Sequence, residues 1–217
     1  MNAQTERLTL SGPAGAIEAV RDAAALADGA LAPRGVAIIA HPHPLFGGTM
    51  DNKVVQTLAR AFVQCGWTAV RFNFRGVGGT QGVHDEGRGE LQDLLAVVEQ
   101  AAPAAEGQRI ALAGFSFGAF VTSHALAALW PTGRVEKAVL VGTAASRFTV
   151  APVPADAHLR TLIVHGEQDD TVPLAAVMDW ARPQILPVTV IPAGGHFFHG
   201  QLPLLKSLVV RHLQSGG

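Results

Sequence analysis

The stretch Arg109-Ile110-Ala111-Leu112-Ala113-Gly114-Phe115-Ser116-Phe117-Gly118 carries most of the information about the fold. Residues 109–114 form a short apolar run, which is typical of a strand buried on both faces of a sheet. Residues 117–130 follow as a helix that Pro131 stops. Gly114 and Gly118 lack side chains that would clash where strand and helix cross closely. The pattern therefore predicts a strand, a sharp turn that carries Ser116, and a helix.

Apolar strands and amphipathic helices alternate on both sides of this turn. Further strands are predicted at residues 36–40, 68–74, 135–141, 161–165 and 188–191, and an antiparallel pair at residues 5–10 and 16–21 precedes them. Helices are predicted at residues 90–102, 173–181 and 201–213, and one from a cap at Asp51 to Gln64. Such alternation predicts an α/β fold, a mostly parallel sheet with helices on both faces.

The composition limits the class of protein. The chain has 217 residues, 48% of them hydrophobic, which suits one domain over residues 1–217. Lys plus Arg is 16 and Asp plus Glu is 17, so we expect no binding to nucleic acid or to an anionic membrane. The single cysteine excludes an internal disulfide. The N-terminal residues lack a signal-peptide pattern, and no apolar run approaches the ~20 residues of a membrane span. We expect a soluble, cytoplasmic protein.

Polar residues with a common chemistry follow several of the predicted strands. Ser116 lies on the turn after residues 109–114, Asp169 and Asp170 lie in the loop after residues 161–165, and His196 lies in the loop after residues 188–191. The carboxyl ends of parallel strands meet at one edge of a sheet. A serine becomes a strong nucleophile when a histidine, oriented by a carboxylate, takes its proton. The order serine, acid, histidine indicates a serine hydrolase.

These motifs resemble those of the α/β-hydrolase superfamily over nearly the whole chain. The matching segments are G-x-S-x-G at residues 114–118, H-G-x-x-D-x-x-V-P at 165–173, G-G-H-F at 194–197 and R-G-V-G at 75–78. Residues 41–50, His-Pro-His-Pro-Leu-Phe-Gly-Gly-Thr-Met, resemble a subgroup of small bacterial serine hydrolases related to dienelactone hydrolases. Those relatives often use a cysteine nucleophile, and Ser116 here favours ester hydrolysis over lactone chemistry.

The resemblance implies a role for individual residues. It favours Asp169 over Asp170 as the acid of a Ser116, Asp169, His196 triad. By the family pattern, the backbone N–H of Phe117 and one N–H from the loop after residues 36–40 would bind the oxyanion. His43 matches the family position, and Leu45 stays as the alternative, because Pro42 and Pro44 have no N–H. We expect no cofactor.

The substrate predicted from the resemblance is a small ester. Larger esterases often insert a cap between the sixth and seventh sheet strands, but residues 142–160 are too short for one. We therefore expect a lidless site for short acyl groups, with apolar walls that include Phe46 and Phe197, together with Phe117 and Phe198. A thioesterase, an acyltransferase or a non-catalytic binding module on the same fold remain alternatives. A metal site at His41 and His43 would need further ligands, and no metal is predicted.

Overall fold

One sheet organises the protein in the computed structural model, which describes residues 5–26 and 32–215. The described part of the chain has eight strands in the spatial order β1-β2-β4-β3-β5-β6-β7-β8. The strands are β1 (Thr5–Gly12), β2 (Gly15–Asp22), β3 (Val36–Ala40), β4 (Thr68–Phe72), β5 (Ile110–Phe115), β6 (Val135–Val141), β7 (Thr161–Gly166) and β8 (Thr189–Ile191). β1 and β2 pair antiparallel, as does β2 with β4, and the other pairs are parallel. The predicted, mostly parallel sheet is confirmed.

Helices cover both faces of this sheet, as predicted. The helices are α1 (Lys53–Gln64), α2 (Arg88–Ala101), α3 (Phe117–Leu129), α4 (Leu174–Ala181) and α5 (Leu202–Gln214). Side chains alternate between the faces of a strand, so Ile39 belongs to the core cluster that includes α1 and α5, whereas Ile38 belongs to the cluster that includes α2, α3 and α4. Because the parallel strands are buried on both sides, they read as continuous apolar runs in the sequence.

Several element boundaries differ from the prediction for local reasons. α1 is capped by Asn52, whose side chain accepts from the Val54 N–H at 2.9 Å, and not by Asp51. Asp51 instead forms an ion pair with Arg71 at 3.1 Å. α2 begins two residues earlier than predicted, after Gly87, because Glu90 accepts from the Gly87 N–H and caps the first turn.

The connection between β6 and β7 has no α-helical cap. Residues 142–160 contain one short 3₁₀ helix, Ala155–Arg160. Residues that follow β3, β5, β6, β7 and β8 line a cavity at the carboxyl edge of the sheet. Within the described residues, every helix falls short of the length and apolarity that a membrane crossing requires.

Candidate active site

Ser116 lies on a strained turn between β5 and α3. Its backbone has φ of 57° and ψ of −116°, a left-handed conformation that L residues rarely adopt. The turn is held by the Ser116 N–H, which donates to the Val141 carbonyl at 2.8 Å. A Cβ on Gly118 would come within 2.5 Å of the Ala40 carbonyl oxygen, so α3 needs glycine there to cross the sheet. The predicted strand–turn–helix is confirmed, and it projects Ser116 from the carboxyl edge.

The structure brings Ser116, His196 and Asp169 into one hydrogen-bonded chain. The Ser116 Oγ lies 3.0 Å from Nε2 of His196, and Nδ1 of the same ring lies 2.7 Å from Oδ2 of Asp169. All three residues are buried. They follow β5, β7 and β8, parallel strands that lie on the two sides of β6 and have their carboxyl ends at one edge of the sheet.

Asp169 is held as a charged acceptor. Its Oδ1 accepts from the backbone N–H groups of Thr171 at 3.0 Å and Val172 at 2.7 Å. Burial tends to raise the pKa of Asp169, but the hydrogen bonds from His196 and Val172 outweigh it and lower the pKa. A carboxylate at this position favours the imidazole tautomer that keeps its proton on Nδ1, and leaves Nε2 free to accept from Ser116.

The neighbouring residues of the same motif have supporting positions. Asp170 is exposed and accepts from the Thr171 hydroxyl at 3.3 Å, away from His196. Asp170 does not cap the following helix either, because Pro173 is the N-cap of α4. The Nε2–H of buried His165 donates to the Val172 carbonyl at 2.8 Å and lies 3.5 Å from Asp169. His165 therefore braces the loop that carries the acid.

Two backbone N–H groups beside Ser116 are free to bind an anion. The Phe117 N–H is the first in α3 and has no partner within the helix. Among the described residues, the His43 N–H forms no backbone hydrogen bond. The Leu45 N–H, in contrast, donates to Nδ1 of His43 at 3.2 Å. Of these two N–H groups, the one of Leu45 is therefore engaged, whereas the one of His43 is not.

His41 fixes the peptide that carries the His43 N–H. The Phe74 N–H donates to Nε2 of His41 at 2.9 Å, so we assign the proton to Nδ1, which donates to the Pro42 carbonyl at 2.6 Å. The peptide bond is trans, so holding the Pro42 carbonyl points the His43 N–H in the opposite direction. Burial lowers the pKa of His41 to about 4, and the ring is neutral near pH 7.

A cavity of about 330 Å³ opens over Ser116 and His196. We call it the catalytic cavity. Its walls include the predicted pocket residues Phe46 and Phe197, which are 73% and 44% exposed as whole residues. Phe117 and Phe148 form its apolar floor beside His43. The arrangement combines a nucleophile, a base and free N–H donors around one small, open space.

The sequence family agrees with this geometry. The family model Hydrolase_4, described as serine aminopeptidase S33, matches residues 32–152, which include β3, β5 and Ser116. The chain belongs to this family, within the α/β-hydrolase superfamily. The resemblance to the α/β-hydrolase superfamily that the sequence motifs indicated is confirmed.

Solved structures share this fold over nearly the whole chain. A serine α/β hydrolase without lid from Xanthomonas campestris is 34% identical, covers 99% of this chain and 95% of its own, and superposes with a TM-score of 0.84. A serine hydrolase homologue from Coxiella burnetii is 38% identical, with coverage of 96% and 97% and a TM-score of 0.78.

An uncharacterized protein of Rickettsia prowazekii is 35% identical over 157 residues. The match takes in 66% of this chain and spans 60% of the length of that curated relative.

The structure of this α/β hydrolase corrects one predicted wall residue. Phe198 is fully buried and packs in the core with Ile191 and α5, not in the catalytic cavity. Its neighbour His199 is exposed and makes no hydrogen bond to Ser116, so His196 is the histidine at the nucleophile. Among residues 5–26 and 32–215, no cluster of three or more His, Cys, Asp or Glu side chains could hold a metal ion.

Arg147 and Phe148 are among the residues of the α/β-hydrolase cavity that sequence reasoning missed. Both lie in the loop after β6, at the same carboxyl edge as the other site residues. Their position after a parallel strand could have indicated them. The same criterion identified Ser116, Asp169 and His196.

Proposed function

We propose that this protein hydrolyses small carboxylic esters through an acyl-enzyme on Ser116. The observation that carries the proposal is the continuous hydrogen-bonded chain from Ser116 to His196 to Asp169, beside two free N–H groups. A strained serine at the tip of a turn has no structural need for these partners. An acyl-transfer nucleophile needs all of them.

Each group has a defined role in the proposed reaction. Nε2 of His196 takes the Ser116 proton as Oγ attacks the ester carbonyl, and the N–H groups of Phe117 and His43 bind the resulting oxyanion. His196 then returns the proton to the leaving alcohol. Asp169 stabilises the imidazolium that forms between these steps. Water, deprotonated by His196, attacks the acyl group and releases the acid.

The size and openness of the catalytic cavity favour small substrates. A volume of about 330 Å³ is at the lower end for ligand sites, which span roughly 300–1,000 Å³. The connection of residues 142–160 provides no cap that would cover a long acyl chain. Phe46 and Phe197 would contact the apolar part of a short ester at the rim.

Aminopeptidase activity, which the name of the matching family describes, has less support in this cavity. Such an enzyme must bind the ammonium group of a peptide N-terminus, and a carboxylate is the usual partner for it. Among the described residues, no Asp or Glu lines the catalytic cavity, and the one permanently charged side chain there is the cation Arg147. The charge at this site disfavours an ammonium.

Covalent labelling tests the nucleophile directly. We expect a fluorophosphonate to form one adduct, located on Ser116 by peptide mass spectrometry and unchanged by a chelator. Ser116→Ala should lose the adduct and lower kcat by about 10⁴- to 10⁶-fold. An exposed serine, Ser146→Ala, is the matched control and should label fully. Absence of labelling in the folded protein, or more than a tenth of the activity left in Ser116→Ala, would contradict the mechanism.

A series of p-nitrophenyl esters tests the substrate size. We expect kcat/KM to be highest for two- to six-carbon acyl chains and to fall for longer ones, because the cavity is small and uncovered. An L-aminoacyl p-nitroanilide run in parallel tests the peptidase alternative. A steady rise from two-carbon to sixteen-carbon esters, or faster turnover of the anilide, would contradict the assignment.

A further inference from the structure

We propose that the preferred esters carry a second, anionic group, a carboxylate, which Arg147 binds at the wall of the catalytic cavity. This inference rests on the proposed function and specifies its substrate class. It follows from the position of Arg147, its lack of a protein partner, the charge of the surrounding walls and the way its loop is held.

The Arg147 side chain has all its hydrogen-bond donors available. Among the described residues, it forms no ion pair and no side-chain hydrogen bond. Its guanidinium carbon lies 5.8 Å from the ring centroid of Phe46, which holds the group beside the cavity. A guanidinium presents paired N–H donors that match the two oxygens of a carboxylate.

The charge around Arg147 leaves an uncompensated cation in the catalytic cavity. The other titratable side chains in its lining are His43 and His196, and the described lining has no acid. Burial, followed by the nearby charges of His84 and Arg147, lowers the pKa of His43, which keeps that ring neutral. An anionic substrate would thus meet a cation near the nucleophile and no like charge.

A second cavity of about 610 Å³ adjoins the catalytic cavity. Both share the wall formed by His43, Phe46, Arg147 and Phe148. The second cavity is lined by an acid, Glu86, which would repel a carboxylate. The catalytic cavity is therefore the more favourable place for the anion, with Arg147 binding it from the shared wall.

The loop that presents Arg147 is fixed to α3 at several points. Phe148 stacks on Phe120 with a centroid distance of 4.7 Å and an interplanar angle of 15°. Nε2–H of His124 donates to the Thr149 carbonyl at 2.9 Å, and the Ala151 N–H donates to Ser123 Oγ at 3.0 Å. The backbone that follows Arg147 is thus positioned before substrate arrives, which reduces the entropy lost on binding.

Matched ester pairs test the proposal. One pair, mono-p-nitrophenyl adipate and its methyl ester, places the charge on the acyl side. The other pair, 4-acetoxybenzoate and its methyl ester, places it on the alcohol side. The measured quantity is the ratio of kcat/KM for the charged ester to that for the neutral ester, after subtraction of spontaneous hydrolysis.

We expect wild-type protein to prefer the charged member of at least one pair, and Arg147→Gln to lower that ratio by about fivefold or more. Arg147→Lys should recover part of the preference, and added salt should weaken it. Arg60→Gln removes the same charge from an exposed residue of α1 and should leave the ratio and the basal activity unchanged. Equal ratios in wild type and Arg147→Gln would overturn the proposal.

Binding to Ser116→Ala separates this inference from the proposed function. Calorimetry on that variant measures the affinity for each ester in the absence of turnover. Tighter binding of the charged ester that disappears in Ser116→Ala/Arg147→Gln supports the anion site even if hydrolysis fails. Equal affinities for charged and neutral esters, with labelling of Ser116 intact in the parent protein, overturn the anion site and leave the esterase assignment standing.

Discussion

Acidification should destabilise this protein through His41, a neutral histidine buried at the end of β3. The ring accepts a hydrogen bond from the Phe74 N–H on Nε2, so protonating Nε2 breaks that bond and places a charge in the core. Burial lowers the pKa of His41 from 6.5 to about 4. The folded state therefore takes up this proton at lower pH than the unfolded state does.

The sign and size of the stability change follow from the difference between the pKa values of His41 in the folded and unfolded states. Because the folded pKa is depressed, the contribution of His41 to stability is complete above about pH 6.5 and is lost as the pH falls towards 4. For pKa values of 6.5 and about 4, the loss between pH 7.5 and pH 5 is about 2 kcal/mol. His212, whose pKa burial also lowers to about 4, adds a loss of the same sign.

The variant His41→Phe isolates the contribution of His41. It keeps an aromatic ring against Phe74 but cannot titrate, and it leaves the Phe74 N–H without its acceptor, at a cost of about 1–3 kcal/mol. Urea unfolding, followed by tryptophan fluorescence at pH 7.5 and pH 5, gives the free energy of unfolding. We expect the wild type to be more stable than His41→Phe at pH 7.5, with an advantage that shrinks by about 2 kcal/mol at pH 5.

His199→Phe is the control, because it removes an imidazole from an exposed residue outside the core. Its pH dependence of stability should equal that of wild type. If His41→Phe and wild type lost the same free energy of unfolding between the two pH values, the neutral, hydrogen-bonded state assigned to His41 would be wrong.

Three further substitutions test the site and its support. Asp169→Asn should lower kcat by about 10³- to 10⁴-fold, because an amide no longer favours the required imidazole tautomer. The kcat of Asp170→Asn should stay within twofold of wild type. Similar losses in both variants would contradict the assignment of the acid. Gly118→Ala should lower the Tm, because its Cβ would lie 2.5 Å from a carbonyl oxygen of β3. Gly195→Ala should leave the Tm unchanged, because the nearest atom to its Cβ would be 4.0 Å away. Equal Tm values for the two variants would refute the packing argument. Phe198→Ala should cost about 3–5 kcal/mol in urea unfolding, as a buried core ring does, and a cost under about 1 kcal/mol would place it outside the core.

Local pattern predicted the elements that place the site. Ser116, Asp169 and His196 each follow a strand, and parallel strands have their carboxyl ends at one edge, so their proximity could be inferred without coordinates. The turn at Ser116 could be predicted as well, because the glycines on either side are a steric requirement visible in sequence.

Tertiary contacts decided what the sequence left open. Nothing in the local sequence distinguishes Phe197 from Phe198. Phe197 is exposed at the cavity, whereas Phe198 is buried in the core beside β8, and the backbone of their loop determines this difference. No sequence motif marks Arg147, because its position at the cavity depends on how Phe148 stacks on α3. The preference for Asn52 over Asp51 as a cap likewise depends on Arg71, a residue of a neighbouring strand.

Because it follows the short strand β8, His196 is less firmly anchored than Ser116 and Asp169, the residues to which it is hydrogen-bonded. Thr189–Ile191 lies at the edge of the sheet and pairs on one side with β7, whereas the strand before Ser116 is paired on both sides. Edge elements open by local unfolding at a lower free energy than central ones. Hydrogen exchange around β8 should therefore be faster than around β5, and reaction with a fluorophosphonate should cease at a urea concentration where the central sheet is still folded.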